Sequence, residues 1–305
     1  LDVHYFTVTD NYLSCHSTQV NFCVTLRKLC GFAVKGNRKD AKGNLHNNTS
    51  TIWSPVCTKK DEQLKKLMKN PVPAVSAEKA ALMMDVHHRL SDVYGRNIRY
   101  FHDIDPMSEL VSALLSHRTR NSASGQAFKN LKLLFGTWEA VRDAPLALVE
   151  EAISPCTWPE QKAPRIQQVL HRITELKGSL SLEFLRDMDV PAAREWLEAL
   201  PGVGPKTSAA VISFSNLRGK ALPVDSHHFR VAHRIGIIQE KIGEARAHRV
   251  LESMLPETFT AQEVYDHHQV MMKHGQKVCF YQQPDCEHCV VLDLCPTGQA
   301  RLGGG

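Results

Sequence analysis

Four cysteines near the C-terminus constrain this chain more than any other feature. Cys279, Cys286, Cys289 and Cys295 follow the pattern C-x6-C-x2-C-x5-C. Four thiols that close in sequence can converge on one centre, and the two-residue gap between Cys286 and Cys289 suits a turn that presents two sulfurs to a metal. Pro284 and Pro296 favour compact loops here over a long regular element. Two disulfides are the bland alternative. Nine cysteines with one tight cluster and five scattered members fit a reducing compartment better than a disulfide framework. An all-sulfur site suits zinc or an iron–sulfur centre, and spacing alone leaves both open.

The chain has 305 residues, room for two modest domains. Hydrophobic residues make up 43% and charged residues 23%, so a core can form in a soluble globular protein. A net charge of +5 permits a nucleic-acid partner without demanding one. No apolar run reaches about 18 residues, so a membrane span is not expected, and the first residues lack the pattern of a secretory signal. Residues 1–76 carry no sustained period of 3.6 or 2.0. They read as a disordered or non-native extension, and Cys15, Cys23, Cys30 and Cys57 are spaced too unevenly to form a ligand pair.

From Ser76 onward the periodicity is helical. Ala80, Leu82, Met83, Val86, Leu90 and Val93 mark one amphipathic helix ending before Gly95, and Asp105-Pro106 opens the next. Further helices are expected near 122–135, 137–143, 145–153, 161–177, 190–200, 205–216, 226–236, 243–254 and 261–274. Strand signals are weak throughout, so the fold class is all-α.

Two segments between helices carry chemistry. In Leu200-Pro201-Gly202-Val203-Gly204-Pro205-Lys206 the two glycines allow a tight bend, and Pro205 suits the first helical position. The N–H groups at such a helix start form a seat for a phosphate. Lys206 sits in that first turn, where the helix dipole disfavours its ammonium form. A partly neutral lysine is a nucleophile able to form a Schiff base; a tolerated surface lysine is the plain alternative. Downstream, Asp225 follows Pro223-Val224 and precedes a helical pattern. It reads as an N-cap, and next to a reacting sugar it could also stabilise positive charge or take a proton.

Taken in order, LPGVGPKTSAAV, PVDSHHFRVAHRIG, HHQVMMKHG and the cysteine pattern resemble the endonuclease III family of helix-hairpin-helix DNA glycosylases, over roughly residues 78–301. The resemblance implies two helical domains with a DNA-binding cleft between them. A six-helix barrel with the hairpin would span 108–223, and 77–107 with 224–301 would form a cluster domain. It implies a [4Fe–4S] cluster on Cys279, Cys286, Cys289 and Cys295, a catalytic Lys206 and Asp225, and phosphate contacts from Gly202, Val203 and Gly204. The implied activity is base excision with abasic-site lyase action on double-stranded DNA carrying a damaged base, with oxidised pyrimidines as substrate. The enzyme would act as a monomer, in the cytoplasm of a prokaryote or in the nucleus or an organelle of a eukaryote.

Departures fall where the family chooses substrate. Its glutamine for the orphan base is matched by Arg118, whose guanidinium could favour guanine. Its wedge loop is replaced by Cys156-Thr157-Trp158-Pro159, where Trp158 could stack between bases. His228 stands where the family has Val or Ile. These changes motivate an alternative, a mismatch or alkylated-base glycosylase on the same fold. A non-catalytic DNA-binding or redox-sensing protein is the alternative of another class, and a binder needs neither Lys206 nor Asp225.

Overall fold

The computed structural model describes residues 76–303 and, before them, four short strands. The chain divides into two compact units, Leu1–Pro71 and Val72–Gly305. In the first, β1 (Phe6–Thr9) pairs antiparallel with β2 (Tyr12–Cys15), and β3 (Arg38–Lys39) with β4 (Leu45–His46). These strands are two to four residues long, too short for alternation to stand out in sequence. The rest of the expected extension over 1–76, with Cys23, Cys30 and Cys57, lies outside the described residues.

The second unit is helical. Its elements are α1 (Ala77–Tyr94), α2 (Pro106–Ser116), α3 (Asn121–Phe135), α4 (Trp138–Asp143), α5 (Leu146–Ala152), α6 (Pro159–Lys177), α7 (Val190–Glu198), α8 (Pro205–Phe214), α9 (Ser226–Ile235), α10 (Glu244–Met254), α11 (Ala261–Lys277) and α12 (Pro296–Gly303). Capping explains most boundaries. The side chains of Ser76, Asp105, Thr137, Asp189 and Asp225 each accept a backbone N–H in the first turn of the helix they precede. Thr260 and Glu263 form a reciprocal capping box at α11. Helix α6 starts at Pro159, two residues before the expected 161, because the fixed φ of proline suits a first helical position. Among the described residues no helix is long and apolar enough to cross a membrane.

Two hydrophobic cores organise this unit. Leu110, Leu114, Leu131, Ile166, Leu170, Leu197 and Val211 belong to the first, wrapped by α2 to α8. That is seven helices where six were expected; the seventh is the six-residue α4. Met83, Leu90, Val231, Ile235, Leu251, Val270 and Met271 belong to the second, from α1, α9, α10 and α11. Each buried aliphatic side chain contributes about 1.5–3 kcal/mol relative to exposure. The chain passes from one core to the other at Ala221-Leu222, a few residues before Asp225. Its earlier passage, 95–105, is pinned to α11: Asp266 accepts from the N–H groups of Asn97 (2.7 Å) and Ile98 (2.9 Å), and Tyr100 stacks on Tyr265. At Gly275 of α11 an added Cβ would lie 2.7 Å from His227 Cβ, so the glycine of the HHQVMMKHG segment allows close approach of α9.

Candidate active site and cysteine-lined cavity

The bend between α7 and α8 is built as its glycines require. Gly202 adopts φ +76°, and a Cβ there would run into the Arg165 side chain. Gly204 is the N-cap of α8, and no side chain caps that helix. Its first-turn N–H groups therefore face outward for an acceptor that the protein does not supply. Lys206 follows Pro205 in the same turn and is half-buried.

Asp225 reaches the same neighbourhood from the other core. It is half-buried and extended, and its Oδ1 accepts from the His228 N–H at 2.8 Å. The link between the two residues is His268 on α11. This imidazole is buried, and burial lowers its pKa; the Asp225 carboxylate raises it and the Lys206 ammonium lowers it further. One buried ring thus senses both candidate catalytic groups. His117 is a second neighbour of the lysine, hydrogen-bonded through Nε2 to Thr207 Oγ1 at 2.9 Å. Burial, followed by the positive charges of Lys206, Lys162 and Arg165, lowers its pKa to about 4. A neutral imidazole is therefore the resting state beside the amine.

Arg118 and Trp158, on separate loops in sequence, meet in space. The guanidinium carbon lies 5.9 Å from the indole ring centre, within cation–π range. Both hold left-handed backbones, with φ of 50° and 54°. Non-glycine residues rarely adopt this region, and such strain gathers at functional sites. Lys162 holds the two loops together. Its buried ammonium donates to Leu115 O (2.7 Å) and Thr119 Oγ1 (2.6 Å), while Thr119 Oγ1 also accepts from the Thr157 N–H (3.1 Å). Burial lowers the pKa of Lys162. Trp158 remains 44% exposed, so its ring is available to a partner.

The four cysteines of the C-terminal cluster line one partly open, largely apolar pocket together with Val231, Ile235, Val278 and Val291. Arg234 Nη1 donates to Cys279 Sγ at 3.3 Å, and the Gly298 N–H donates to Cys295 Sγ at 3.3 Å. A Cβ on Gly298 would stand 3.5 Å from Cys295 Sγ and 3.7 Å from Cys286 Sγ. Burial pushes the Cys289 thiol up to about 11, and the other three sulfurs add to the push. Among the described residues, no three His, Cys, Asp or Glu side chains are drawn tightly enough together to hold a single ion. The sulfurs stand around a space and not around a point.

Residues 111–257 match the model of the HhH-GPD superfamily of base excision DNA repair proteins. Endonuclease III of Thermotoga maritima is 28% identical over 213 residues, which cover 70% of this chain and 93% of that protein. The chain is thus similar, over its helical part, to the endonuclease III family of helix-hairpin-helix DNA glycosylases. A family relative in Arabidopsis thaliana, whose name describes it as a DNA glycosylase, is 30% identical over 196 residues, 64% of this chain and 65% of its own length. The fold of this chain matches that of a trapped endonuclease III–DNA covalent intermediate, with a TM-score of 0.62 at 24% identity over 73% of this chain and 98% of that one.

Sequence reasoning about the glycosylase missed His117, Lys162 and His268 as parts of the site. Lys162 was legible only as a lysine opening a helix, since nothing in its neighbours marks a buried amine spanning two loops. His268 stood in a segment used for recognition, but its position between Lys206 and Asp225 depends on the approach of α11 to α8 and α9.

Proposed function

We propose that this glycosylase removes a damaged base through covalent attack by Lys206 and then cleaves the abasic strand. The observation that carries the reading is that the backbone before Lys206 and the backbone before Asp225 are joined through the Arg194–Glu252 ion pair. A target nucleotide must leave the stack before C1′ is accessible. The Lys206 amine then bonds to C1′ as the N-glycosidic bond breaks and the base departs with the bonding electron pair and a proton. Asp225 stabilises the oxocarbenium-like sugar and assists proton transfer. The resulting imine acidifies the 2′ proton; its removal expels the 3′ phosphate by β-elimination. The N–H groups of Gly202 and Gly204 hold a backbone phosphate, which positions the strand without reading sequence, whereas the expected Val203 N–H already donates to Leu200 O at 3.2 Å.

Oxidised pyrimidines are the proposed substrate, on the family resemblance. A second reading, excision from mismatches opposite guanine, has its own support in Arg118. A guanidinium poised over Trp158 can pair with O6 and N7 of an unpartnered guanine. A duplex panel with thymine glycol, uracil, 7,8-dihydro-8-oxoguanine and G·T pairs tests both. Release and nicking at thymine glycol are expected, and preference for G·T would favour the second reading. Binding with no base released from any duplex would contradict the proposal.

The cysteine cavity fits a [4Fe–4S] cluster held by Cys279, Cys286, Cys289 and Cys295. Four sulfurs around an apolar space, a glycine whose Cβ would intrude, and an arginine donating to one sulfur suit an anionic group of several atoms. Bound, such a cluster would cross-link the 279–295 loop at four points and so fix its shape against the second core. A broad visible absorption band, lost with iron removal, is expected; zinc without that band would contradict it.

A further inference from the structure

Three successive residues before Asp225 are each held by a side chain from α10 or α11. The Leu222 N–H donates to Glu252 Oε1 (3.0 Å), the Pro223 carbonyl accepts from His268 Nδ1 (2.7 Å), and the Val224 N–H donates to His248 Nδ1 (3.3 Å). Of the three, Glu252 also ion-pairs with the helix before the lysine-bearing bend. Its Oε2 pairs with Arg194 of α7, and these side chains are only 27% and 12% exposed. Arg194 in turn donates through Nη2 to the carbonyl of Pro205, the residue before Lys206, and through Nε to Ser208 Oγ, both at 3.4 Å. Ser208 Oγ donates to Glu198 Oε1 at 2.7 Å, which closes the network. One ion pair therefore joins the backbone that presents the amine, in the first core, to the backbone that presents the carboxylate, in the second.

We propose that Glu252 and Arg194 are positioning residues that set the separation of Lys206 and Asp225. The proposal rests on the reading of Lys206 as the nucleophile. Neither residue reaches the hairpin N–H groups that would grip DNA, so their loss acts on the covalent step and leaves binding intact. Misplacement of reacting groups by about 1 Å can slow a reaction about a hundredfold. A glutamine at 252 keeps the length, but both partners are donors and its one carbonyl oxygen can accept from only one of them. An aspartate is one methylene short and cannot reach both partners.

The experiment measures single-turnover borohydride trapping on an abasic-site duplex, with binding measured on a tetrahydrofuran-site duplex. Wild type and Lys206→Ala come first. Absence of a trapped adduct in wild type would defeat the nucleophile reading itself. With that reading secure, Glu252→Ala and Glu252→Asp are expected to trap about ten- to a hundredfold more slowly with unchanged binding, and Glu252→Gln to fall between them and wild type. Glu252→Asp is decisive if the alanine variant fails to fold. Trapping by Glu252→Asp at the wild-type rate, or a slow rate matched by an equal loss of binding, would overturn the proposal.

Discussion

At the scale of the residue, Asp225 does two things that substitution can separate. Its carboxylate caps α9 through the His228 N–H, and it is the proposed partner of the Lys206 amine in base removal. Asparagine caps a helix about as well as aspartate but carries no charge. Asp225→Asn is therefore expected to melt like wild type in a thermal scan while losing about a hundredfold or more in base excision. Asp225→Ala should lose the same activity and a further ~1 kcal/mol of stability. Equal activity in Asp225→Asn and wild type would reduce the residue to a cap. The sequence made this double role readable, since a cap and a charge-stabilising group both call for a carboxylate at that place. It did not make Lys162 readable, because a buried amine that spans Leu115 and Thr119 is defined by loops far apart in sequence.

At the scale of the element, the hairpin glycines are not equivalent. Gly202 has a positive φ with Arg165 lying where a Cβ would go, whereas Gly204 has φ −109° and open space. Gly202→Ala is expected to cost about 1 kcal/mol or more of stability and to weaken duplex binding. Gly204→Ala should leave the melting temperature near wild type. Equal destabilisation by the two would contradict this account of the bend. Helix existence was legible throughout 77–277 because long amphipathic periods leave little choice of class, and boundaries shifted only where caps and prolines decided them. The terminal helix α12 and the strands before residue 47 were not legible, the strands being two to four residues long and α12 directly following the cysteine loop. The meeting of Arg118 with Trp158 was also beyond sequence, although both residues had been singled out separately; left-handed φ at each leaves no mark in residue type.

At the scale of the whole molecule, the second core is crossed by imidazoles. His87, His267, His228 and His268 form a chain of ring contacts, with centroids 5.1–6.3 Å apart. Burial lowers the pKa of His87 and His248 to about 4, and that of His228 and His267 well below the ordinary 6.5. Each such histidine is neutral when folded and takes up a proton on unfolding at mildly acidic pH. Its contribution is fully present above about pH 6.5 and is lost as pH falls toward 4, at about 1.4 kcal/mol per pH unit and group. The melting temperature should therefore drop steeply from pH 6.5 to 4.5. His228→Ile, which removes two unpartnered buried ring nitrogens, should flatten that slope. A melting temperature independent of pH across this window would contradict the neutral assignment. The central claim is that Lys206, presented from the first core, makes a covalent bond to deoxyribose with Asp225, presented from the second, assisting. Peptide mapping of the borohydride-reduced adduct with abasic-site DNA tests it most directly. The account predicts deoxyribose on the Lys206 amine and no adduct from Lys206→Ala. Sugar attached to any other residue, or an undiminished adduct from that variant, would contradict it.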